Sequence, residues 1–261
     1  MQVLKPGFNI DEYFRLLAKA PKKALLLDYD GTLAPFRVER DKAYPYPGVR
    51  EILDELLDNP ACRVVIISGR WIEDLLPLLS LKRVPEIWGS HGWERLLPNG
   101  LYKAHEMDEK YIKGLANVDD WAVKEGLQNR YERKPGCLAL HWRGMEANEI
   151  EAIRHKAMNH WRTITAETGL EIHEFNGGLE LRAPGKNKGD AIKTIISEMG
   201  NGMVAYLGDD LTDEDAFAAL NNNGLSVLVS KESRTTAADI RITPPDELLD
   251  FLSRWGMAVG A

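Results

Sequence analysis

Ala24-Leu25-Leu26-Leu27-Asp28-Tyr29-Asp30-Gly31-Thr32 is the stretch on which the fold turns. Four apolar residues in succession run straight into two carboxylates and a glycine. A segment apolar at every position, rather than at every second one, reads as a strand buried on both faces. The pattern returns at Arg63-Val64-Val65-Ile66-Ile67, closed by Ser68-Gly69-Arg70. It returns again at Met203-Val204-Ala205-Tyr206-Leu207, closed by Gly208-Asp209-Asp210, and at Leu225 to Val229. Between these runs, Val49, Ile52, Leu53, Leu56 and Leu57 keep helical spacing, as do Ala191, Ile192, Ile195, Ile196 and Met199. Strands alternating with helices predict an α/β fold, a doubly wound parallel-sheet core. Ligands bind such sheets at the polar loops that follow the strands.

The middle of the chain has another rhythm. Tyr131–Lys134 and Cys137–Arg143 flank Pro135-Gly136, and Leu170–Phe175 and Leu179–Arg182 flank Asn176-Gly177-Gly178. Both read as antiparallel hairpins. Ile150, Ile153, Ala157 and Trp161 mark a helix between them. The expectation is an α+β antiparallel-sheet cap, 105–182, inserted between two parts of the core, 1–104 and 183–261.

Composition sets the outer limits. The 261 residues carry 33 Lys+Arg against 40 Asp+Glu, a net charge of −7, with 44% hydrophobic and 28% charged residues. That is globular, and it lacks the basic face that a nonspecific grip on nucleic acid or anionic lipid requires. Cys62 and Cys137 are the only cysteines, too few for a disulfide scaffold or a zinc-ribbon cage. No stretch approaches the ~18 apolar residues of a membrane span, and Met1 to Ala20 lacks the pattern of a secretory signal. These readings predict a soluble cytoplasmic protein with no nucleic-acid or membrane partner. The oligomeric state stays open, a monomer included.

Four loops carry candidate chemistry. In Asp28-Tyr29-Asp30-Gly31-Thr32, two carboxylates leaving a strand can converge on one centre, one ionised and one able to carry a proton. A carboxylate can also attack phosphorus and form an acyl phosphate. Alone, the same residues also fit an ordinary acidic turn. Gly208-Asp209-Asp210-Leu211-Thr212-Asp213-Glu214-Asp215 gathers acids that repel one another unless a cation holds them, and oxygen-only ligands suit Mg²⁺. It equally reads as a helix start, with Thr212 as cap and the acids complementing the dipole. Ser68 and its neighbouring amides could hold phosphate oxygens, and Lys188, at the start of a helix, could offset the charge. Gly185-Lys186-Asn187-Lys188 is not a P-loop, because the required Gly-x-x-x-x-Gly-Lys-Ser/Thr spacing is missing.

Taken in order, Asp-x-Asp-Gly-Thr, Ser-Gly-Arg, a helix-starting Lys and Gly-Asp-x-x-x-Asp resemble the four motifs of the haloacid dehalogenase (HAD) superfamily of phosphatases. Leu27–Pro35, Gly89-Ser90-His91-Gly92, Glu180-Leu181-Arg182 with Lys188-Gly189-Asp190-Ala191, and Gly208–Phe217 resemble the trehalose-6-phosphate phosphatases within it. So do Glu132-x-Lys134 and His141-Trp142-Arg143 of the cap. The resemblance spans nearly the whole chain from Lys22 and implies a Rossmann-like HAD core.

It further implies that Asp28 is the nucleophile and Asp30 the general acid and then base. Mg²⁺ would be held by Asp28, the Asp30 carbonyl and Asp209, with Asp213 behind them or bound through water. Ser68 and Lys188 would hold phosphate oxygens, with Tyr29, Gly69, Arg70 and His91 around the substrate. Glu132, Lys134 and Glu180, backed by Arg143, would bind the sugar of trehalose 6-phosphate, the small-molecule partner; each equally fits a salt bridge across the hairpin, Arg143 above all. One departure stands out: the family places a basic residue before the Glu of Glu-Leu-Arg, and here Asn176-Gly177-Gly178 stands instead. That leaves a glucosyl- or mannosyl-glycerol or -glycerate phosphate open as substrate. A non-catalytic module on the same fold is disfavoured by the intact Asp28, Asp30, Lys188 and Asp209.

Overall fold

The computed structural model describes residues 1–175 and 177–261, with Asn222 described through its backbone only. The chain begins with β1 (Gln2–Val3), α1 (Ile10–Lys19), β2 (Lys23–Leu27), α2 (Val49–Asp58), β3 (Cys62–Ile67), α3 (Ile72–Leu79), β4 (Glu86–Gly89), β5 (Glu94–Leu96) and β6 (Tyr102–Ala104). Then come α4 (Glu109–Lys124), β7 (Tyr131–Lys134), β8 (Cys137–His141), α5 (Ala147–Thr168), β9 (Glu171–Phe175) and β10 (Gly178–Arg182). It closes with α6 (Lys188–Met199), β11 (Met203–Gly208), α7 (Glu214–Leu220), β12 (Leu225–Val229), β13 (Ile240–Ile242) and α8 (Asp246–Val259). Two compact units result, Met1–Lys103 with Asn187–Ala261, and Ala104–Lys186. The divisions expected from sequence lie at 104/105 and 182/183. Among the described residues no helix is long and apolar enough to cross a membrane.

The first unit holds a nine-stranded sheet in the order β1-β13-β12-β11-β2-β3-β4-β5-β6. From β13 to β4 the neighbours are parallel, whereas β1 and β5 join antiparallel. The apolar runs owe their continuity to burial on both sides. Leu25 and Leu27 face one core with Val64, Ile66 and Leu207, covered by α1, α2, α3 and α8. Leu26 faces the opposite core with Val65, Ile67 and Tyr206, covered by α6 and α7. This is the doubly wound architecture expected. After β2 the chain winds outward through β3 and β4, then returns beside β2 with β11 and winds the other way. That reversal is a topological switch point, where strand-end loops diverge and leave a crevice.

The second unit is a four-stranded antiparallel sheet in the order β7-β8-β10-β9. Its period-two alternation separates two faces. Leu138, Leu140, Leu179 and Leu181 are buried on one side, with α4 against β8 and α5 against β9. Glu132, Ala139 and Glu180 stand in register on the other, carrying Lys134, Cys137, His141 and Arg182 along the same face. Of the Asn176-Gly177-Gly178 turn singled out above, Asn176 lies outside the described residues.

Candidate active site

The loops after β2, β3 and β11 meet at the switch point. Asp28, at the end of β2, is 4% exposed. Lys188 opens α6, fully in the interior, and its Nζ lies 2.7 Å from Asp28 Oδ1 and 2.6 Å from Asp213 Oδ1. Asn187 caps this helix by accepting from Asp190 N at 3.0 Å, which fixes where residue 188 emerges.

Asp213 is the most fully engaged carboxylate of the site. Tyr206 Oη donates to its Oδ1, while Asp209 N and Asp210 N donate to Oδ2 at 2.9 Å. It thereby ties the acidic loop to Lys188. The loop closes differently from the sequence expectation. Asp210, not Thr212, accepts from Leu211 N at 2.7 Å and forms a capping box with Asp213. The inward turn of Asp213 toward Lys188 leaves α7 to begin at Glu214. Arg234 braces the loop from outside, pairing with Glu214 and donating from Nη2 to Asp209 O (3.3 Å) and Asp210 O (3.0 Å).

Each of Asp28, Asp209 and Asp213 offers one carboxylate oxygen within 4.8 Å of the others. Two buried acids, Asp28 and Asp213, pair with one ammonium, with the half-buried Asp209 beside them, and the electrostatics follow. Burial raises Asp28 to about 7; Lys188 lowers it and Asp213 raises it. Burial, with Asp28 and Asp213, pushes Asp209 well above the ordinary carboxylate range. Burial works against the Asp213 carboxylate too, but Lys188, Tyr206 and the loop amides more than reverse it. Lys188 keeps its proton because Asp213 and Asp28 outweigh its own burial. Such a set of hard oxygen donors with surplus negative charge fits a divalent cation. Gly31, at φ +83°, runs so close to Asp209 that any Cβ there would strike its carboxylate.

Asp30, also after β2, turns its carboxylate to Arg70. Nε donates to Oδ2 at 2.6 Å and Nη2 to Oδ1 at 2.7 Å. Arg70 thus appears where a substrate contact was expected, but its guanidinium is committed to Asp30. Ser68 is buried after β3, its Oγ accepting from Arg70 N at 3.1 Å. Gly69 lies under the His91 imidazole: a Cβ there would sit 2.5 Å from Cε1 and 2.6 Å from Nε2. His91 and Ser90 take left-handed backbone, φ 57° and 49°, and His91 N donates to Ser68 O at 3.0 Å. Tyr29 is a correction. Its side chain, expected near substrate, is fully buried in the core and donates to Ala43 O at 2.7 Å.

In the second unit, the buried Lys134 lies 3.7 Å from Glu132 and pairs with Glu180. Glu180 also accepts from Arg182 Nε at 2.7 Å, and Glu132 Oε2 lies 2.9 Å from His141 Nε2. Burial opposes the Lys134 charge, but Cys137, Glu132 and Glu180 hold its pKa above the usual lysine value. Burial pushes the neighbouring Cys137 thiol up to about 12. Arg143, expected behind these residues, instead lies against Gly177 at the β9–β10 turn, and β8 separates it from the Lys134 end.

Tyr206 and Arg234 stand in none of the quoted motifs, whereas Arg182 and His141 stand in Glu180-Leu181-Arg182 and His141-Trp142-Arg143 with no role assigned. Tyr206 left a signal of its own, since a hydroxyl inside an otherwise apolar strand requires a partner.

The family model described as Trehalose-phosphatase matches residues 26–245. Trehalose-phosphate phosphatases of Mycobacterium ulcerans and Mycobacterium marinum are 29% and 30% identical over 90% of this chain. The chain spans 61% of the length of these curated relatives. The C-terminal domain of Candida albicans trehalose-6-phosphate phosphatase superposes with a TM-score of 0.81 at 23% identity, covering 100% of this chain and 99% of that one. The trehalose-6-phosphate phosphatase of Aspergillus fumigatus gives 0.66 at 25% identity, covering 99% of this chain and 100% of that one.

Proposed function

Because the chain belongs to the trehalose-phosphatase family, we propose that it is a phosphoric monoester hydrolase that converts trehalose 6-phosphate to trehalose and phosphate. The observation that carries this reading is the Asp28 carboxylate, buried at the switch point and pinned through Oδ1 by Lys188 with Asp209 beside it.

Asp28, the backbone carbonyl of Asp30 and Asp209 would hold Mg²⁺, with Asp213 fixing their loop. When bound, the cation supplies charge neutralisation at the phosphoryl group and orients the attacking carboxylate. Phosphoryl transfer asks mainly for in-line placement and charge compensation. Asp28 attacks phosphorus, the bond from phosphorus to the sugar oxygen breaks, and Asp30 gives that oxygen its proton. The product is an aspartyl phosphate on Asp28. Asp30 then takes a proton from water, the water oxygen attacks the same phosphorus, and the acyl-phosphate bond opens to free Asp28 and inorganic phosphate. Lys188 and Ser68 hold the phosphate oxygens through both steps.

We assign sugar recognition to Glu132, Lys134 and Glu180. A disaccharide offers many hydroxyls and little apolar area, so the Glu132 and Glu180 carboxylates as acceptors beside the Lys134 ammonium as donor suit it. Phosphate release from a panel of sugar phosphates, with and without Mg²⁺, tests the reading. Turnover of trehalose 6-phosphate well above the others, and only with the cation, supports it. Preference for a glycosyl-glycerol or glycosyl-glycerate phosphate would keep the chemistry and replace the substrate.

A further inference from the structure

Both oxygens of the Asp30 carboxylate are engaged by one side chain, the Arg70 guanidinium. A two-pronged pair of this kind fixes the plane and rotation of a carboxylate as well as its distance. The guanidinium is itself fixed. Nη1 donates to Arg40 O at 3.0 Å, and the guanidinium carbon lies 5.6 Å from the centre of the Tyr29 ring. The Arg70 side chain is 7% exposed against 28% for Asp30, so the buried partner holds the more exposed one. The Arg70 backbone is tied at both ends, its N–H to Ser68 Oγ at 3.1 Å and its carbonyl to Ser90 N at 2.8 Å. One residue therefore joins the phosphate-side loop after β3 to the carboxylate carried by the loop after β2.

We propose that Arg70 is a positioning residue for the reaction. It orients Asp30 so that the proton passes to the leaving sugar oxygen, and later from water, along one fixed direction. A carboxyl group has about four lone-pair sites, of which Arg70 takes two; one of the others carries the proton that Asp30 gives to the sugar oxygen, and in the second step that site, now ionised, accepts the proton of the water. A lysine at this place would keep the positive charge and lose the fork. The role rests on the reading of Asp30 as acid and base given above.

The test compares two phosphate esters by kcat/KM, which covers every step through cleavage of the ester. Trehalose 6-phosphate has an alkoxide leaving group that needs a proton; p-nitrophenyl phosphate has one that does not. Arg70→Lys should lower kcat/KM on trehalose 6-phosphate by about 100-fold, and by at least about 10-fold less on the aryl ester. In an Asp30→Asn background it should add less than about threefold, because the carboxylate it aims is gone. Equal losses on the two esters, or losses that multiply in the double variant, overturn the role and leave Arg70 as a brace. Asp30→Asn that slows both esters alike overturns the acid assignment itself, and the role of Arg70 with it. If the wild-type protein spares trehalose 6-phosphate, the substrate reading fails, and glucose 6-phosphate serves as the alkyl ester in the same comparison. Thermal unfolding confirms that each variant is folded, and Arg70→Gln is read in the same way if the lysine variant is not.

Discussion

The Lys188 ammonium lies 2.7 Å from the Asp28 carboxylate, with both side chains about 5% exposed or less, and shares its remaining reach with Asp213 at 2.6 Å. One cation thus compensates two buried anions. Removing it strands both, and stranded buried charge is among the most damaging changes a core can suffer. Lys188→Met should therefore cost about 3–5 kcal/mol of stability and lower kcat by about 100- to 1000-fold. Denaturant unfolding and steady-state kinetics at saturating Mg²⁺ measure the two effects. A variant of wild-type stability would show that the pair carries no such burden.

Burial raises Asp28 to about 7, against 3.8 for an ordinary aspartate, and Asp209 is raised as well. A carboxyl whose pKa rises on folding makes the native protein bind more protons than the unfolded chain. Its contribution is complete below 3.8 and lost as pH climbs to about 7. Asp28 alters stability by up to about 1.36 kcal/mol per pH unit within that window. Asp213 has the opposite sign: its pKa is lowered, so its contribution is lost only as pH falls below the ordinary carboxylate range. A cation that needs ionised oxygens must displace the protons on Asp28 and Asp209. The rise in Tm on adding Mg²⁺ should be larger at about pH 8 than at about pH 5.5. Its half-saturating concentration should grow by up to about 10-fold per unit below about pH 7 through the proton on Asp28, and the proton on Asp209 steepens the dependence. Thermal shifts across a Mg²⁺ titration at several pH values give both quantities, and an effect independent of pH would contradict the assignment.

At Gly69, a Cβ would come within 2.5 Å of the His91 ring, which the left-handed backbone of Ser90 and His91 aims at it. Gly69→Ala should destabilise the protein by about 1–3 kcal/mol through overpacking. In a His91→Ala background most of that loss should disappear, since the two positions share one space. Urea unfolding of the four proteins in the cycle decides this, and simple additivity would show that the loop yields freely.

How much of this was open to a reader of the chain differs by feature. Leu25 and Leu27 serve one core and Leu26 the other, so the run is apolar at every place and marks a central strand unaided. The acidic loops could be located for the same reason, because each follows such a run. What the loops hold was not readable. Arg70 reaches Asp30 only because β2 and β3 lie side by side. Tyr29 sits between two candidate carboxylates, yet its ring joins the core of Leu25 and Leu27, because the alternation of β2 carries on past its last residue. In the second unit both hairpins could be read from their turn residues, but the order β7-β8-β10-β9 follows from one hairpin closing on the other. That pairing aligns Glu132 and Glu180 across Ala139, a relation that no local spacing contains.

Glu132 stands in that row with Lys134 3.7 Å away and His141 at 2.9 Å. If these groups bind sugar hydroxyls, Glu132→Gln should raise KM for trehalose 6-phosphate by about 10- to 100-fold, the value of a charge-assisted hydrogen bond, with a smaller effect on kcat. The small ester p-nitrophenyl phosphate, which carries no sugar, should feel little of it. Initial-rate kinetics on both substrates separate the outcomes, and a kcat loss shared by the two would move Glu132 from binding to folding.

The most direct measurement is chemical. The protein is mixed with trehalose 6-phosphate and Mg²⁺, quenched in acid during turnover, reduced with borohydride and mapped by peptide mass spectrometry. An acyl phosphate is reduced to the alcohol, so conversion of residue 28 to homoserine, and of no other carboxylate, is the predicted result. Steady phosphate release with Asp28 unmodified under conditions that trap a known acyl phosphate would contradict it.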